Sequence, residues 1–305
     1  MCGPQRDRLL GLSGVILATA CWSTSGVLIS YIIRHTDWTA ISLAFWRDLA
    51  TFVVLLLGSA ILNPRGLRVT KQDLPWLAGM GILSVGSFHI LWNLSVLEIG
   101  VSLSTIIQST TPIFVSLAAW ALWSEPLTRQ KILALALAIG GMTLIAGFNV
   151  SSSLQITLPG LATALGAALA YTGITLFGKK LSSSYPPWTV LTYAFGFATL
   201  ALLPLQWGST SSWEMTQGVL LAYAALVLLT TVLGFGLYIH SLARLPASVT
   251  SIVSNTEVPF AAILAYIFLG ERLGGPQILG AVLIILAVSL VAQPSGDSTE
   301  TNSQP

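Results

Sequence analysis

The chain has 305 residues, 54% of them hydrophobic and 8% charged, with a mean hydropathy of +0.82, whereas a soluble domain carries roughly 25% charged residues. That balance excludes an ordinary soluble fold and predicts an all-α polytopic membrane protein. A formal net charge of +2 without any Lys/Arg cluster excludes nucleic acid as a partner, and two cysteines, Cys2 in the tail and Cys21 in the first apolar run, exclude a disulfide framework.

Taken in order, the chain divides into ten expected spans: 10–33, 39–62, 74–97, 101–123, 131–147, 158–177, 188–207, 219–241, 249–269 and 275–292. The first is too long for the apolar core of a cleaved signal and fits a retained span. Uncharged intervals of 25 residues between Arg8 and Arg34, 24 between Asp73 and Glu98, and 26 between Glu98 and Glu125 each hold one helix, and the 47 between Lys131 and Lys179 hold two. Turn residues punctuate the spans, as in Asn63-Pro64-Arg65-Gly66 and Tyr185-Pro186-Pro187. With the N-terminus cytoplasmic, ten basic residues fall inside (Arg6, Arg8, Arg65, Arg68, Lys71, Arg129, Lys131, Lys179, Lys180, Arg244) and only Arg34 and Arg272 fall outside. The positive-inside bias therefore places both termini in the cytoplasm. The tail, 293–305, is rich in Ser, Thr, Pro and Gly with no apolar face, so a disordered segment is expected there.

The spans repeat. Trp38-Thr39 and Ala44-Phe45 recur as Trp188-Thr189 and Ala194-Phe195 at an offset of 150. Gly11 and Trp22 stand opposite Gly160 and Tyr171 at 149, and Trp92 and Ser95 opposite Tyr238 and Ser241 at 146. Pro112 and Glu125 stand opposite Pro259 and Glu271, at 147 and 146. The expected organisation is thus one five-helix unit over 1–148, a second over 149–292, and the tail. Five is odd, so the copies lie inverted with respect to each other, the architecture that exposes a central site alternately to either face.

On the two Pro-to-Glu hairpins (112–125 and 259–271, the second ending Gly270-Glu271-Arg272-Leu273), on Trp22, and on the in-span arginine of Phe45-Trp46-Arg47, the chain resembles the EamA-type branch of the drug/metabolite transporter superfamily over residues 9–292. The resemblance implies secondary transport, commonly export, of small metabolites such as amino acids or related amphipathic compounds across a bacterial inner membrane.

The residues themselves nominate a site. Glu257 lies nine positions into its span, about 13 Å deep in a slab about 30 Å thick. An ionisable group at that depth marks a substrate or proton path, or else fixes helix packing. Pro259 beside it is expected to free a carbonyl one turn back. Arg47, about 12 Å in from the opposite face, cannot shed its charge and needs Asp48, Glu257 or a substrate carboxylate. Gln108, Thr110 and Thr111 from one copy and Ser254, Asn255 and Thr256 from the other bring uncharged hydrogen-bonding groups to the midplane, as ligand contacts or as interhelical bonds. Gln108 and Asn255 are the best placed to touch ligand. Trp22, Trp92, Tyr171 and Tyr238 either wall an amphipathic cavity or, for Trp92 and Tyr238, sit at the membrane interface. His89 is a proton relay or a histidine bonded to a neighbouring carbonyl.

Glu125 and Glu271 are expected to cap the helices that follow them. Asn149-Val150-Ser151 matches a glycosylation sequon, and Ala162, Gly166 and Ala170 form a close-packing face. No nucleophile elbow, metal cluster or phosphate-binding loop occurs, which speaks against an ATP-driven pump and calls for no cofactor or metal. The alternative reading is an intramembrane lipid-modifying enzyme with Glu257 and His89 as acid and base. The partners expected are a small-molecule substrate and the bilayer, for a monomer or a homodimer.

Overall fold

The computed structural model describes residues 3–147, 157–207, 216–269 and 274–293. In lipid each backbone N–H and C=O must be paired within its own segment, so apolar runs of this length become helices. They are α1 (Gly3–Trp22), α2 (Ser25–Arg34), α3 (Ala40–Leu62), α4 (Leu74–Gly79), α5 (Ser87–Gln108), α6 (Thr111–Trp123), α7 (Arg129–Gly147), α8 (Leu158–Ser182), α9 (Pro187–Gln206), α10 (Gln217–Ala225), α11 (Phe235–Leu242), α12 (Ala247–Ser254), α13 (Glu257–Leu269) and α14 (Gly275–Ala292). π-helical segments, Met80–Gly86 and Leu226–Gly234, join α4 to α5 and α10 to α11. No strand occurs among the described residues.

Eight segments of the described chain are long and apolar enough to cross a membrane. Of the other two expected spans, 131–147 is the helix α7, and 249–269 is divided between α12 and α13. The glycosylation sequon, Glu271, Arg272 and all of the tail but Gln293 lie outside the described residues.

Irregularities recur at a constant spacing. The π-helical segments begin at 80 and 226, and helix breaks fall at 109–110 and 255–256, each pair 146 apart. Pro112 and Pro259 both lie in the first turn of the helix after a break. The first N–H groups of a helix have no intrahelical acceptor, so proline costs nothing there. This corrects the expectation that Pro259 frees a carbonyl: the Asn255 carbonyl accepts from Val258 N at 3.2 Å. Gly100, at φ 80°, puts a bend in α5 that only glycine makes without strain.

Side-chain caps gather the chain connections at one end of the bundle. Arg8 donates to the carbonyls of Val291 (2.9 Å), Ala292 (3.1 Å) and Gln293 (2.7 Å), so both ends of the described chain lie together. Gln130 bonds the Leu290 carbonyl beside them. Lys179 Nζ donates to Leu242 O and Leu245 O at 2.8 and 2.7 Å, placing a cation on the negative end of α11. Tyr185 Oη donates to Asp73 Oδ2 (2.7 Å), Thr189 Oγ1 to Gly66 O (2.7 Å), and Tyr193 Oη to Leu67 O (2.9 Å). At the other end Thr157 Oγ1 donates to Glu98 Oε2 at 3.3 Å. Within the bundle α7 and α14 meet backbone to backbone: a Cβ on Gly141 would lie 2.5 Å from the Gly280 carbonyl oxygen.

Glu125 does cap a helix, but the helix is α12 rather than the one that follows it. Its carboxylate accepts from Ala247 N (2.8 Å), Ser248 N (3.3 Å) and Ser248 Oγ (2.5 Å), and lies 3.6 Å from Lys131 Nζ. The α6–α7 connection is folded back onto the start of α12, which brings the carboxylate to a helix end some 120 residues away instead of to the adjacent one.

Candidate substrate cavity

Two adjoining cavities share Trp92, Gln108, Tyr171 and Glu257 as lining. Asn255, Ser109, Thr111 and Ser254 also line one; Trp22, Ser25, Arg47, Phe88 and Phe235 also line the other. All six residues nominated as substrate contacts, Glu257, Arg47, Gln108, Asn255, Trp22 and Tyr171, therefore reach one region. Both helix breaks open onto it. At the breaks Ile107 O accepts from Thr110 N (3.0 Å) and Oγ1 (2.7 Å), and Val253 O from Thr256 N (3.0 Å) and Oγ1 (2.9 Å), so these helix-end carbonyls are bonded within the chain.

The breaks also set the register between the two copies. At 146, Thr111 stands opposite Glu257 and Ser254 opposite Gln108, one position away from the pairing of Gln108 with Asn255 that the prolines gave. The carboxylate has a hydroxyl at its counterpart. Thr256 Oγ1 and Thr19 Oγ1 lie 2.8 Å apart, tying the α12–α13 break to α1.

Arg47 is 5% exposed, and its Nε donates to Thr231 Oγ1 at 2.8 Å. Thr231 lies in the π-helical segment and donates in turn to Leu226 O at 2.8 Å, five residues back. The wide turn is what carries that hydroxyl to the arginine. The sequence reading missed Thr231; its only signal was the Thr230-Thr231 pair in an apolar span. Among the described residues Arg47 forms no salt bridge, because the neighbouring Asp48 turns to His89 instead. His89 Nδ1 lies 2.5 Å from Asp48 Oδ1 with both side chains fully buried. The histidine thus bonds a carboxylate rather than a carbonyl, and it does not line the cavities.

Aromatic rings form one wall. Trp22 meets Tyr171 edge-on at 6.0 Å between centroids, and Phe235 and Tyr238 at 5.1 Å each, while Phe88 stacks on Trp92 at 6.2 Å. Trp92 and Tyr238 are 7% and 0% exposed, which places them in the core and not at a membrane interface. Tyr238 Oη and Thr175 Oγ1 lie 2.8 Å apart behind this wall. Trp22 Nε1, Gln108 Oε1 and Asn255 Nδ2 are buried without a hydrogen-bond partner. Leaving such groups unpaired costs about 1–3 kcal/mol each, so a ligand that supplied partners would regain that energy. One cation, one carboxylate, two unsatisfied amides and a ring of π-faces equip the region for a small molecule carrying both an anionic and a cationic group.

The EamA-like transporter family matches residues 9–147 and again 158–293. The chain belongs to this family. It is a multi-pass membrane protein, and this EamA-like chain has relatives of nearly its own length. It is 28% identical over 283 residues to YwfM of Bacillus subtilis, an uncharacterized transporter, covering 91% of this chain and 92% of that one. It is 28% identical over 245 residues to the threonine/homoserine exporter RhtA of Salmonella typhimurium, with 78% and 79% covered. The pseudopaline exporter CntI of Pseudomonas aeruginosa is 24% identical over 281 residues, with 90% and 94% covered. A crystal structure 15% identical in sequence superposes with a TM-score of 0.77 over 93% of this chain and 96% of its own, a likeness of fold.

Proposed function

We propose that this protein is a secondary active exporter of a small zwitterionic metabolite, an amino acid or a close relative, in a bacterial inner membrane. The observation that carries the reading is the convergence of Arg47 and Glu257 on one aromatic-walled cavity. Arg47 takes the substrate carboxylate through its planar fork; Glu257 and the π-faces of Trp22 and Tyr171 take the ammonium group. Gln108 and Asn255 bond the remaining polar atoms. The names of the exporter relatives support the direction and the substrate class.

Ten spans in two inverted five-helix units, 1–148 and 149–292, move as halves about this cavity and expose it alternately. The recurrence of helix breaks and π-helical segments 146 residues apart supports the duplication. Both termini face the cytoplasm, as the positive charges require.

Glu257 couples transport to protons. It holds a proton while the cavity lacks a cation and releases it as an ammonium group arrives, which is an antiport cycle run by one side chain. His89, bonded to Asp48 in the core, is the second residue we assign to proton coupling. The experiment is flux of labelled threonine, homoserine and a panel of other amino acids in proteoliposomes with and without an imposed pH gradient, for wild type and Glu257→Gln. Wild type should accumulate at least one compound under the gradient, and Glu257→Gln should bind it at most weakly and lose gradient-driven accumulation. Equal pH-dependent flux in both proteins would remove Glu257 from the coupling mechanism.

A further inference from the structure

A second concavity lies on the outside of the bundle, between α3 and α9, with an empty volume of about 1130 Å³. Its walls are Phe45, Phe52 and Leu56 on one side and Phe197 and Leu200 on the other, and Leu67 closes one end. The hydroxyls of Thr192 and Thr199, which also face it, donate to carbonyls of their own helix, Trp188 O and Phe195 O, at 2.7 and 2.8 Å. The wall therefore offers no free polar group along its length. Phe45 lies six residues, about 9 Å, from Thr39 at the start of α3, and the groove runs from there past Leu56 to Leu67 beyond the other end of that helix.

At the closed end the chemistry changes. Arg65 and Arg68 flank Leu67 in sequence, and both are exposed. Neither side chain makes a hydrogen bond or ion pair with a described residue. Lys71 is exposed three residues further on. The Leu67 backbone is itself held against α9 by Tyr193, so the arginines are anchored at the mouth of the groove.

We propose that this groove binds an anionic phospholipid, with one acyl chain between α3 and α9 and the phosphate at Arg65 and Arg68. Basic residues just past the end of a membrane helix attract anionic headgroups, and two unpaired guanidinium forks match phosphate geometry. The two exposed arginines at its end favour a lipid over a second copy of the chain, since a helix laid in an apolar groove supplies no anion for them.

The test is native mass spectrometry of the purified full chain in detergent, titrated with dioleoylphosphatidylglycerol or dioleoylphosphatidylcholine. Wild type should retain phosphatidylglycerol in preference to phosphatidylcholine. Arg65→Gln with Arg68→Gln should weaken phosphatidylglycerol binding about thirtyfold and phosphatidylcholine binding, whose phosphate carries its own choline counter-charge, by less. Leu200→Trp fills the groove from a position 63% exposed and should lower binding of both lipids; Leu203→Trp, at 45% exposed, serves if the first variant does not purify as a monodisperse species. Equal binding of the two lipids by wild type, or undiminished phosphatidylglycerol binding by the arginine variant, overturns the headgroup site. A wild-type dimer that Leu200→Trp converts to monomer with lipid binding intact assigns the groove to a second copy instead.

Discussion

Removing Glu125 tests how the bundle is closed at the end where the termini meet. Its carboxylate accepts two backbone N–H bonds and one hydroxyl bond from α12 and sits 3.6 Å from Lys131, with side-chain exposures of 13% and 9%. Loss of an N-cap costs about 1 kcal/mol, and bonds to a charged acceptor about 1.5–3 kcal/mol each without full additivity. Lys131 would also remain largely buried without its counter-ion. For Glu125→Ala the total is about 3 kcal/mol; Glu125→Gln keeps one acceptor oxygen and should lose about half of that. If α12 must leave the α6–α7 connection for this end to open, 3 kcal/mol shifts the open population about a hundredfold. A cysteine at Ser251, fully buried on α12, reports the shift in a background with Cys2 and Cys21 replaced by serine. Its labelling by a soluble maleimide should speed up at least tenfold in Glu125→Ala. Ser248→Ala should add less to Glu125→Ala than it costs alone, since both remove the same cap. An unchanged labelling rate together with an unchanged unfolding midpoint would refute both the cap and its part in closure.

Arg47→Lys keeps the charge but loses the fork and the Nε bond to Thr231, so export should fall at least tenfold while the amount of protein in the membrane stays the same; a variant missing from the membrane would make Arg47 a folding residue. Asp48→Asn and His89→Phe each strand a fully buried partner and should lower stability by about 3 kcal/mol, whereas Asp48→Leu with His89→Phe should lose less than the sum, as read from unfolding midpoints. The Asp73 carboxyl is held below its usual range by the Tyr185 hydroxyl and then by Thr70. A depressed folded value means that this support is complete above the unfolded value near 4 and fades as the pH falls through the folded value. Tyr185→Phe should accordingly flatten the acid limb of the stability profile below about pH 4 and leave the neutral plateau with the same slope.

The helices and the meeting of the six cavity residues were legible because each rests on a short-range rule. Span length follows from apolar runs, and depth follows from rise per residue, so Glu257 and Arg47 could be placed near one level from their distances to the span ends. The repeat supplied the facing elements. What stayed hidden depends on side-chain direction within a helix. Asp48 and His89 are 41 residues apart and nothing in their spacing pairs them; Asp48 was weighed against Arg47 only because they are adjacent. Glu125 was read with the helix nearest in sequence, while the fold gives it one 122 residues away. The π-helical segments left no pattern at all. Gly81, Gly86 and Gly234 stand in them, but glycine is common throughout these spans.

The two halves share a fold but not a charge pattern, and that difference bears on how a substrate sits. At the offsets that align the copies, Arg47 stands opposite Phe197 and Asp48 opposite Ala198, His89 opposite Phe235, and Glu257 opposite Thr111. The fixed cation of the cavity comes only from the first half and its carboxylate only from the second. The helix breaks, by contrast, come from both halves, with the same hydroxyl-to-carbonyl bond at Thr110 and at Thr256. In the exporter we propose, the unsymmetrical charges would hold a zwitterion in a single orientation throughout, its carboxylate toward α3 and its ammonium toward α13. Opening then changes which solution the substrate meets without first turning it over, and no step requires either charge to leave its partner in the middle of the bilayer, where separation costs most.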